Sequence, residues 1–447
     1  MQGLPIAGER LFGTDGVRGL ANIELTADLA LALGRAAGSL VSIGPALVGR
    51  DTRRSGEMLS LALQAGFHSV GIDTVDVGVL TAGGISHLTA TGSATIGAVV
   101  SASHNPAADN GIKFLTDDGT KLSDDGESAI EAKVRAVGSG GRYPVGEGVG
   151  TRFPLESALD DYVDYLASVA TYTYRGLGLV LDCANGAAYR AAPALFRKLR
   201  ADVTEMATEP DGTNINLECG STHPEFLVAQ AEGRIGLAFD GDADRLIAVD
   251  EDGEVVDGDG VMAIVARHWK SQGKLKNDLV VSTVMANLGF RQAMDEIGVQ
   301  VIETQVGDRY VLEAMRQHKA VLGGEQSGHV IFLDKGRTGD GLLTGVRLLD
   351  VVAGTGRELR DLRREAMTRF PQVLVNVEVA DRGGFERNRQ VREAITEAEE
   401  GLGEKGRVLV RASGTEPVVR VMVEAALQED ARRYADEIAR VIADVGR

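Results

Sequence analysis

Ala46-Leu47-Val48-Gly49-Arg50-Asp51-Thr52-Arg53 starts as an apolar strand and breaks into a polar loop. A helical pattern near Glu57–His68 and an apolar strand near Gly71–Val77 follow it. The same order returns at Leu177–Leu181, the loop Asp182-Cys183-Ala184-Asn185-Gly186, a helix near Ala188–Leu199 and a strand near Ala201–Met206. It returns again at Asp278–Ser282, Thr283-Val284-Met285-Ala286-Asn287, a helix near Phe290–Ile297 and a strand near Gln300–Thr304. Three strand–loop–helix–strand units of about 30 residues predict three βαβ-type domains. Ligands of such folds gather at the carboxyl ends of the strands, so each unit is expected to offer one polar loop to a shared site.

Outside the repeat, an alanine- and leucine-rich helix is predicted from Thr26 to Leu40. The tail reads differently: strands at Gln372–Val379, Arg407–Arg411 and Val418–Glu424, with helices at Phe385–Glu399 and Asp430–Val445, predict a compact α+β unit. Gly138, Gly140, Gly141, Gly146, Gly148 and Gly150 mark a linker. With further boundaries near residues 251 and 366, the expected domains are 1–150, 151–251, 252–366 and 367–447.

Composition narrows the function. A net charge of −18 at pH 7, with no dense Lys/Arg run, argues against nucleic acid as a partner. Two cysteines without metal-ligand spacing suit a reducing, cytoplasmic setting. No apolar run reaches the length of a membrane span or a signal segment.

Four segments could carry chemistry. Val99-Val100-Ser101-Ala102-Ser103-His104-Asn105-Pro106 is a strand expected to surface and present Ser103 exposed at its tip; the alternative is an ordinary capping serine. Phe239-Asp240-Gly241-Asp242-Ala243-Asp244-Arg245 places three carboxylates on one side of an extended backbone, where they repel unless a cation sits among them. Hard oxygen ligands suit Mg²⁺. A calcium EF-hand is set aside because Arg245 stands where that loop needs glycine; a solvated acidic loop remains as the alternative. Gly323-Gly324-Glu325-Gln326-Ser327-Gly328-His329 mixes donors and acceptors that suit sugar hydroxyls, or is a polar turn. Arg411-Ala412-Ser413-Gly414-Thr415-Glu416-Pro417-Val418-Val419-Arg420 can cradle a phosphate dianion, or is a plain hairpin. Leu11–Gly19 is expected to be a glycine-rich loop carrying Arg18 toward an anion, the alternative being a turn with a surface arginine.

Together these segments resemble the α-D-phosphohexomutase superfamily over nearly the whole chain. The resemblance implies three related α/β domains with mixed sheets and a smaller C-terminal α+β domain around a central cleft. By motif position it makes Ser103, ahead of Asp109-Asn110-Gly111-Ile112-Lys113, the phosphorylated serine and a metal ligand with Asp240, Asp242 and Asp244. It makes Arg18, Lys113 and His329 candidates for charge stabilisation and proton transfer. Glu325, Ser327 and Arg245 would bind the sugar, and Arg411, Ser413, Gly414, Thr415 and Arg420 the distal phosphate.

The wording Val306-Gly307-Asp308-Arg309-Tyr310-Val311 and Gln326, where neutral-sugar members tend to carry Met, points to the amino-sugar branch. It implies an isomerase that interconverts glucosamine 6-phosphate and glucosamine 1-phosphate, for UDP-N-acetylglucosamine synthesis. A phosphoserine, a sugar 1,6-bisphosphate intermediate and activator, Mg²⁺ and a possible homodimer belong to that picture. The rivals are a phosphoglucomutase/phosphomannomutase and a non-catalytic sugar-phosphate-binding regulator. One departure stands out: Val79-Leu80-Thr81-Ala82-Gly83-Gly84 replaces the usual Pro-Thr-Pro.

Overall fold

A computed structural model describes residues 10–13, 15–41, 44–136, 143–379, 385–412 and 418–445. The chain divides into two units, one of Met1–Met285 with Val299–Arg364 and one of Ala286–Gly298 with Glu365–Arg447.

The first unit holds three sheets. Strands β1 (Val17–Leu20), β2 (Ala46–Arg50), β3 (Thr74–Val79), β4 (Ile96–Val100), β5 (Asp109–Thr116) and β6 (Arg152–Pro154) lie in the order β1-β5-β4-β2-β3-β6. Strands β7 (Gly178–Asp182), β8 (Asp202–Met206), β9 (Ile235–Phe239), β10 (Leu246–Val249) and β11 (Val255–Val256) lie in the order β11-β10-β9-β7-β8. The third sheet, β12 (Leu279–Thr283), β13 (Gln300–Thr304), β14 (Leu322–Gly324) and β15 (Val330–Phe332), has the order β13-β12-β14-β15.

One four-strand pattern recurs as β5-β4-β2-β3, β10-β9-β7-β8 and β15-β14-β12-β13. In each, three strands run parallel and the outer one returns antiparallel. The expected α/β architecture with mixed sheets is the one observed. The first strand of every repeat is central and covered on both faces, which is why Ala46-Leu47-Val48, Leu179-Val180-Leu181 and Leu279-Val280-Val281 are unbroken apolar runs and all buried. The crossover helices are Arg54–Ser69, Ala188–Lys198 and Leu288–Glu296, the last belonging to the second unit.

The second unit has strands β16 (Gln372–Glu378), β17 (Gly406–Ala412) and β18 (Val418–Ala425) in an antiparallel sheet ordered β16-β18-β17. Helices Arg389–Leu402 and Gln428–Val445 cover it around Val373, Val391, Val421, Val423, Ala435 and Ile438. Residues 286–298 join this unit through the fully buried Glu424. Its carboxylate accepts from Leu288 N and Asn287 Nδ2, both at 3.1 Å, and pairs with Arg407 at 2.9 Å.

Two local expectations change. Arg18 sits on strand β1, paired antiparallel with β5 opposite Gly111, and not on a loop. The tail's first helix starts at Arg389, not Phe385, because Asn388 caps it by accepting from Gln390 N and Val391 N. Residues 137–142 of the glycine-rich stretch lie outside the described residues. Among the described residues no helix is long and apolar enough to cross a membrane.

Candidate active site

The hairpin loops that link the third parallel strand of each repeat to its antiparallel return occupy one topological position. The β4–β5 loop bears Ser103, the β9–β10 loop bears Asp240, Asp242 and Asp244, and the β14–β15 loop bears Glu325 to His329.

In the first loop Ser103 adopts φ +53°, a left-handed conformation uncommon for a residue with a Cβ. Its backbone N donates to Ser101 Oγ at 2.9 Å, and Ser101 Oγ donates to Asp51 Oδ2 at 2.6 Å. The expectation of an exposed serine is corrected: Ser103 is 1% exposed, because Asp240 Oδ2 stands 2.5 Å from its Oγ. His104 Nδ1 lies 3.5 Å from the same oxygen. Burial, then Arg245 and Arg18, push the His104 pKa down to about 4, so this imidazole is a poor base for Ser103.

The second loop gathers three buried carboxylates, each offering one oxygen within 4.8 Å of the others. Burial, and then the charges of Asp244 and Asp242, push Asp240 up to about 7. Burial also opposes ionisation of Asp244, but His329, Lys113 and Arg245 outweigh it and hold that carboxyl well below the usual range. Asp242 Oδ1 and Asp244 Oδ1 are buried with no hydrogen-bond partner. Unsatisfied anionic oxygens at this spacing are what a hard cation would satisfy, so the cluster can hold a metal ion.

Cations and their partners surround it. Lys113 on β5 is buried, with Nζ at 3.2 Å from Asp242, 3.8 Å from Asp244 and 3.1 Å from Asp15. Arg18 pairs with Asp15 and reaches Asn105 Oδ1 at 3.4 Å; burial lowers its pKa, with Arg245 adding to the effect against the aspartates. Arg245 donates its backbone N to Asp240 Oδ1 at 3.2 Å and lies 3.8 Å from Asp244. Burial lowers its pKa, but Asp240 and Asp244 more than reverse that and raise it.

The third loop meets the second through His329, whose Nδ1 is 3.5 Å from Asp244 Oδ2. Gly339 N donates to Nε2 at 3.1 Å, so in the neutral ring the proton sits on Nδ1 and faces Asp244. Burial opposes the charged imidazole, yet Asp244 and Asp308 hold its pKa above the ordinary value. Glu325 Oε1 accepts from Gly307 N at 3.0 Å, and Ser327 is exposed.

In the second unit, Arg411 and Arg420 face each other across β17 and β18. Burial and the facing Arg420 lower the Arg411 pKa, a concentration of positive charge suited to an anion. Ser413, Gly414 and Thr415 lie outside the described residues.

Sequence reading gave no role to Asp15, Asp51, Lys121, Asn216 or Asp308. Lys121 bridges Asp15 and Asp308, and Asp308 Oδ2 is 3.6 Å from His329 Nε2. The one available signal was Asp308 inside Gly307-Asp308-Arg309-Tyr310, a polar segment that follows the third repeat's second strand.

Models of the phosphoglucomutase/phosphomannomutase family match almost end to end: alpha/beta/alpha domain I at residues 9–140, domain II at 160–253, domain III at 257–370 and the C-terminal domain at 374–441. The chain belongs to this phosphohexomutase family. As a phosphohexomutase it is an isomerase, a mutase of phosphosugars. Phosphoglucosamine mutase of Staphylococcus aureus (strain bovine RF122 / ET3-1) is 48% identical over 444 residues, covering 97% of this chain and 98% of the relative. That of Shouchella clausii (strain KSM-K16) is 49% identical over 440 residues, with the same coverage. The fold is similar to that of a phosphoglucomutase/phosphomannomutase family protein from Burkholderia thailandensis, at 27% identity, TM-score 0.81 and 97% of both chains. It is also similar to Aspergillus fumigatus N-acetylphosphoglucosamine mutase, solved with GlcNAc-6P and magnesium, at 18% identity, TM-score 0.69, 98% of this chain and 96% of that one; here the likeness concerns the fold alone.

The phosphohexomutase's departure at Thr81-Ala82-Gly83-Gly84 lies against the aspartate loop. Thr81 Oγ1 accepts from Gly84 N at 3.1 Å and caps the helix Ala82–Thr91. Ala82 N donates to Asp242 O at 2.9 Å, a bond that proline at this position could not make. Gly83 leaves room for Asp340, whose carboxylate would lie 2.4 Å from a Cβ there.

Proposed function

We propose that the chain interconverts glucosamine 6-phosphate and glucosamine 1-phosphate, the activity of a phosphoglucosamine mutase, with phosphorylated Ser103 as carrier and a sugar 1,6-bisphosphate as intermediate and activator. The observation that carries this reading is Ser103 Oγ at 2.5 Å from Asp240 in a buried carboxylate cluster with unsatisfied oxygens. The near full-length identity to two phosphoglucosamine mutases supports the amino-sugar substrate.

In the forward step the free sugar hydroxyl attacks the phosphorus on Ser103; the new O–P bond forms as the Oγ–P bond breaks, and the hydroxyl proton leaves to a nearby base. Return of the other phosphoryl group to Ser103 restores the enzyme. Asp240, Asp242, Asp244 and Ser103 would hold Mg²⁺, which supplies Lewis-acid stabilisation of charge on the transferring group. Lys113, Arg18 and His329 stabilise charge and move the proton, their positions fixed by the Asp15, Asp244 and Asp308 pairs. Glu325, Ser327 and Arg245 hold the sugar in both orientations, and Arg411, Ser413, Gly414, Thr415 and Arg420 hold the phosphate that is not reacting. The reading takes the cytoplasm as the setting, a homodimer as one assembly open to the chain, and the domains 1–150, 151–251, 252–366 and 367–447 as working units.

Turnover of glucosamine 6-phosphate, glucose 1-phosphate and mannose 1-phosphate, each with Mg²⁺ and a bisphosphate activator, tests the reading. A preference for the amino sugar is expected; preference for either neutral sugar overturns the substrate assignment. Intact-mass spectrometry should find a phosphate adduct on the native chain and none on Ser103→Ala, and the same adduct on both would remove Ser103 from its role.

A further inference from the structure

The polar loop Gly49–Arg53, which the reaction above does not use, ends in a guanidinium buried to 1% exposure. Its five N–H groups are all engaged. Nε donates to Asp51 Oδ2 at 2.9 Å. Nη1 donates to the carbonyl oxygens of Pro106 and, at 3.0 Å, Asp109. Nη2 donates to those of Ser103 at 2.9 Å and Asn105 at 2.7 Å. One planar fork therefore binds four carbonyls, three in the serine loop and that of Asp109 at the start of β5, a task for which a lysine ammonium lacks both the donors and the geometry.

The Ser103 peptide is held from other sides as well. Asn216 Nδ2 donates to the same Ser103 oxygen at 2.9 Å. Gly241 of the aspartate loop presses against that oxygen, to which a Cβ at 241 would come within 2.5 Å. Asp51, paired with Arg53, accepts the Ser101 hydroxyl whose oxygen takes the Ser103 N–H. The left-handed Ser103 is thus fixed at both its N–H and its C=O, which sets where its Oγ stands relative to Asp240.

We propose that Arg53 is a positioning residue for phosphoryl transfer, its guanidinium fixing the serine loop so that Ser103 Oγ meets the aspartate cluster. The inference rests on the reading of Ser103 as the phosphate carrier. The N–H groups of Arg53 are all taken by protein acceptors, so it acts through the peptide of Ser103.

Arg53→Lys and Ser101→Ala in the full-length chain test this through kcat, KM, thermal melting and the ³¹P resonance of the phosphorylated enzyme. A displacement of the reacting oxygen by about 1 Å costs about 100-fold in rate, so Arg53→Lys should lose about 100-fold in kcat with KM within about threefold of wild type. Its ³¹P resonance should shift and broaden. Ser101→Ala, a smaller change, should lose about 10-fold in kcat with an unmoved melting midpoint. Wild-type kcat in Arg53→Lys, or a loss confined to KM, overturns the proposal. Should Arg53→Lys fail to fold, wild-type kcat and an unmoved resonance in Ser101→Ala overturn it instead. Absence of phosphate on Ser103 in the wild-type chain, read by intact mass, overturns the carrier reading and this inference with it, a result distinct from failure of the variants alone.

Discussion

Lys113→Met keeps the bulk of the side chain and removes only its ammonium, which stands 3.1 to 3.8 Å from Asp15, Asp242 and Asp244 in a buried setting. At an effective dielectric of about 20 each of these contacts is worth about 4–5 kcal/mol before desolvation is counted. The desolvation already spent on the lysine cancels much of that gain. What remains is the penalty for leaving buried carboxylates uncompensated, about 3–5 kcal/mol. A divalent cation among the aspartates would restore the missing charge, and at about 100 times its Kd it would return about 2.7 kcal/mol. Thermal melting of wild type and variant, each in chelator and in Mg²⁺, reads both quantities. The variant should melt well below wild type in chelator. Mg²⁺ should then raise its midpoint by more than it raises the wild type's, because no ammonium repels the ion. Equal midpoints in chelator, or a metal-induced shift no larger than that of wild type, would refute the electrostatic account of the cluster.

Gly83→Ala places a Cβ 2.4 Å from the Asp340 carboxylate, which caps the helix Gly341–Thr355 and accepts the Tyr162 hydroxyl at 2.7 Å. Overpacking of this kind costs about 1–3 kcal/mol, so the urea midpoint should fall, and an unchanged midpoint would contradict the contact. His87, stacked on Tyr165 at 3.7 Å between ring centres, is pushed down to about 4 by burial and then by Arg337. The unfolded chain takes its proton first, so the stability due to neutral His87 is complete above pH 6.5 and is lost as pH falls through 4. Imidazole NMR should show His87 neutral at pH 5.5, and a titration midpoint near 6.5 would contradict its burial.

The repeat was legible because its first strands are covered on both faces, and double coverage writes itself as Leu279-Val280-Val281 and its counterparts. The aspartate triad was legible because its three carboxylates lie within five consecutive residues, although they converge through a turn, with Ala243 N donating to Asp240 O at 3.0 Å and Ala243 at φ +56°, and not through the extended backbone expected. Burial of Ser103 was not, since the side chain that covers it stands 137 positions away. Arg18 was taken for a loop residue because glycines on both sides weaken any strand signal, while its pairing partner, Gly111, lies in β5. Arg53 was hidden by the general rule that arginines face water; only the four carbonyls waiting for it, most of them in the serine loop, make its burial stable. The Asp15–Lys121–Asp308 bridge joins three separate segments, and no spacing announces it.

The recurrence of one hairpin position in three sheets has a consequence for how this molecule can change. Each of the three loops hangs from a completed strand ladder, so its side chains can be exchanged while the ladder beneath stays intact. Under the proposed function they would be a carrier, an ion cage and a reader of sugar hydroxyls, three fittings in the same kind of socket. Discrimination between sugars would then be free to drift in the Glu325–His329 fitting while the other two stay as they are, so that one scaffold could acquire new substrates without relearning how to move a phosphate.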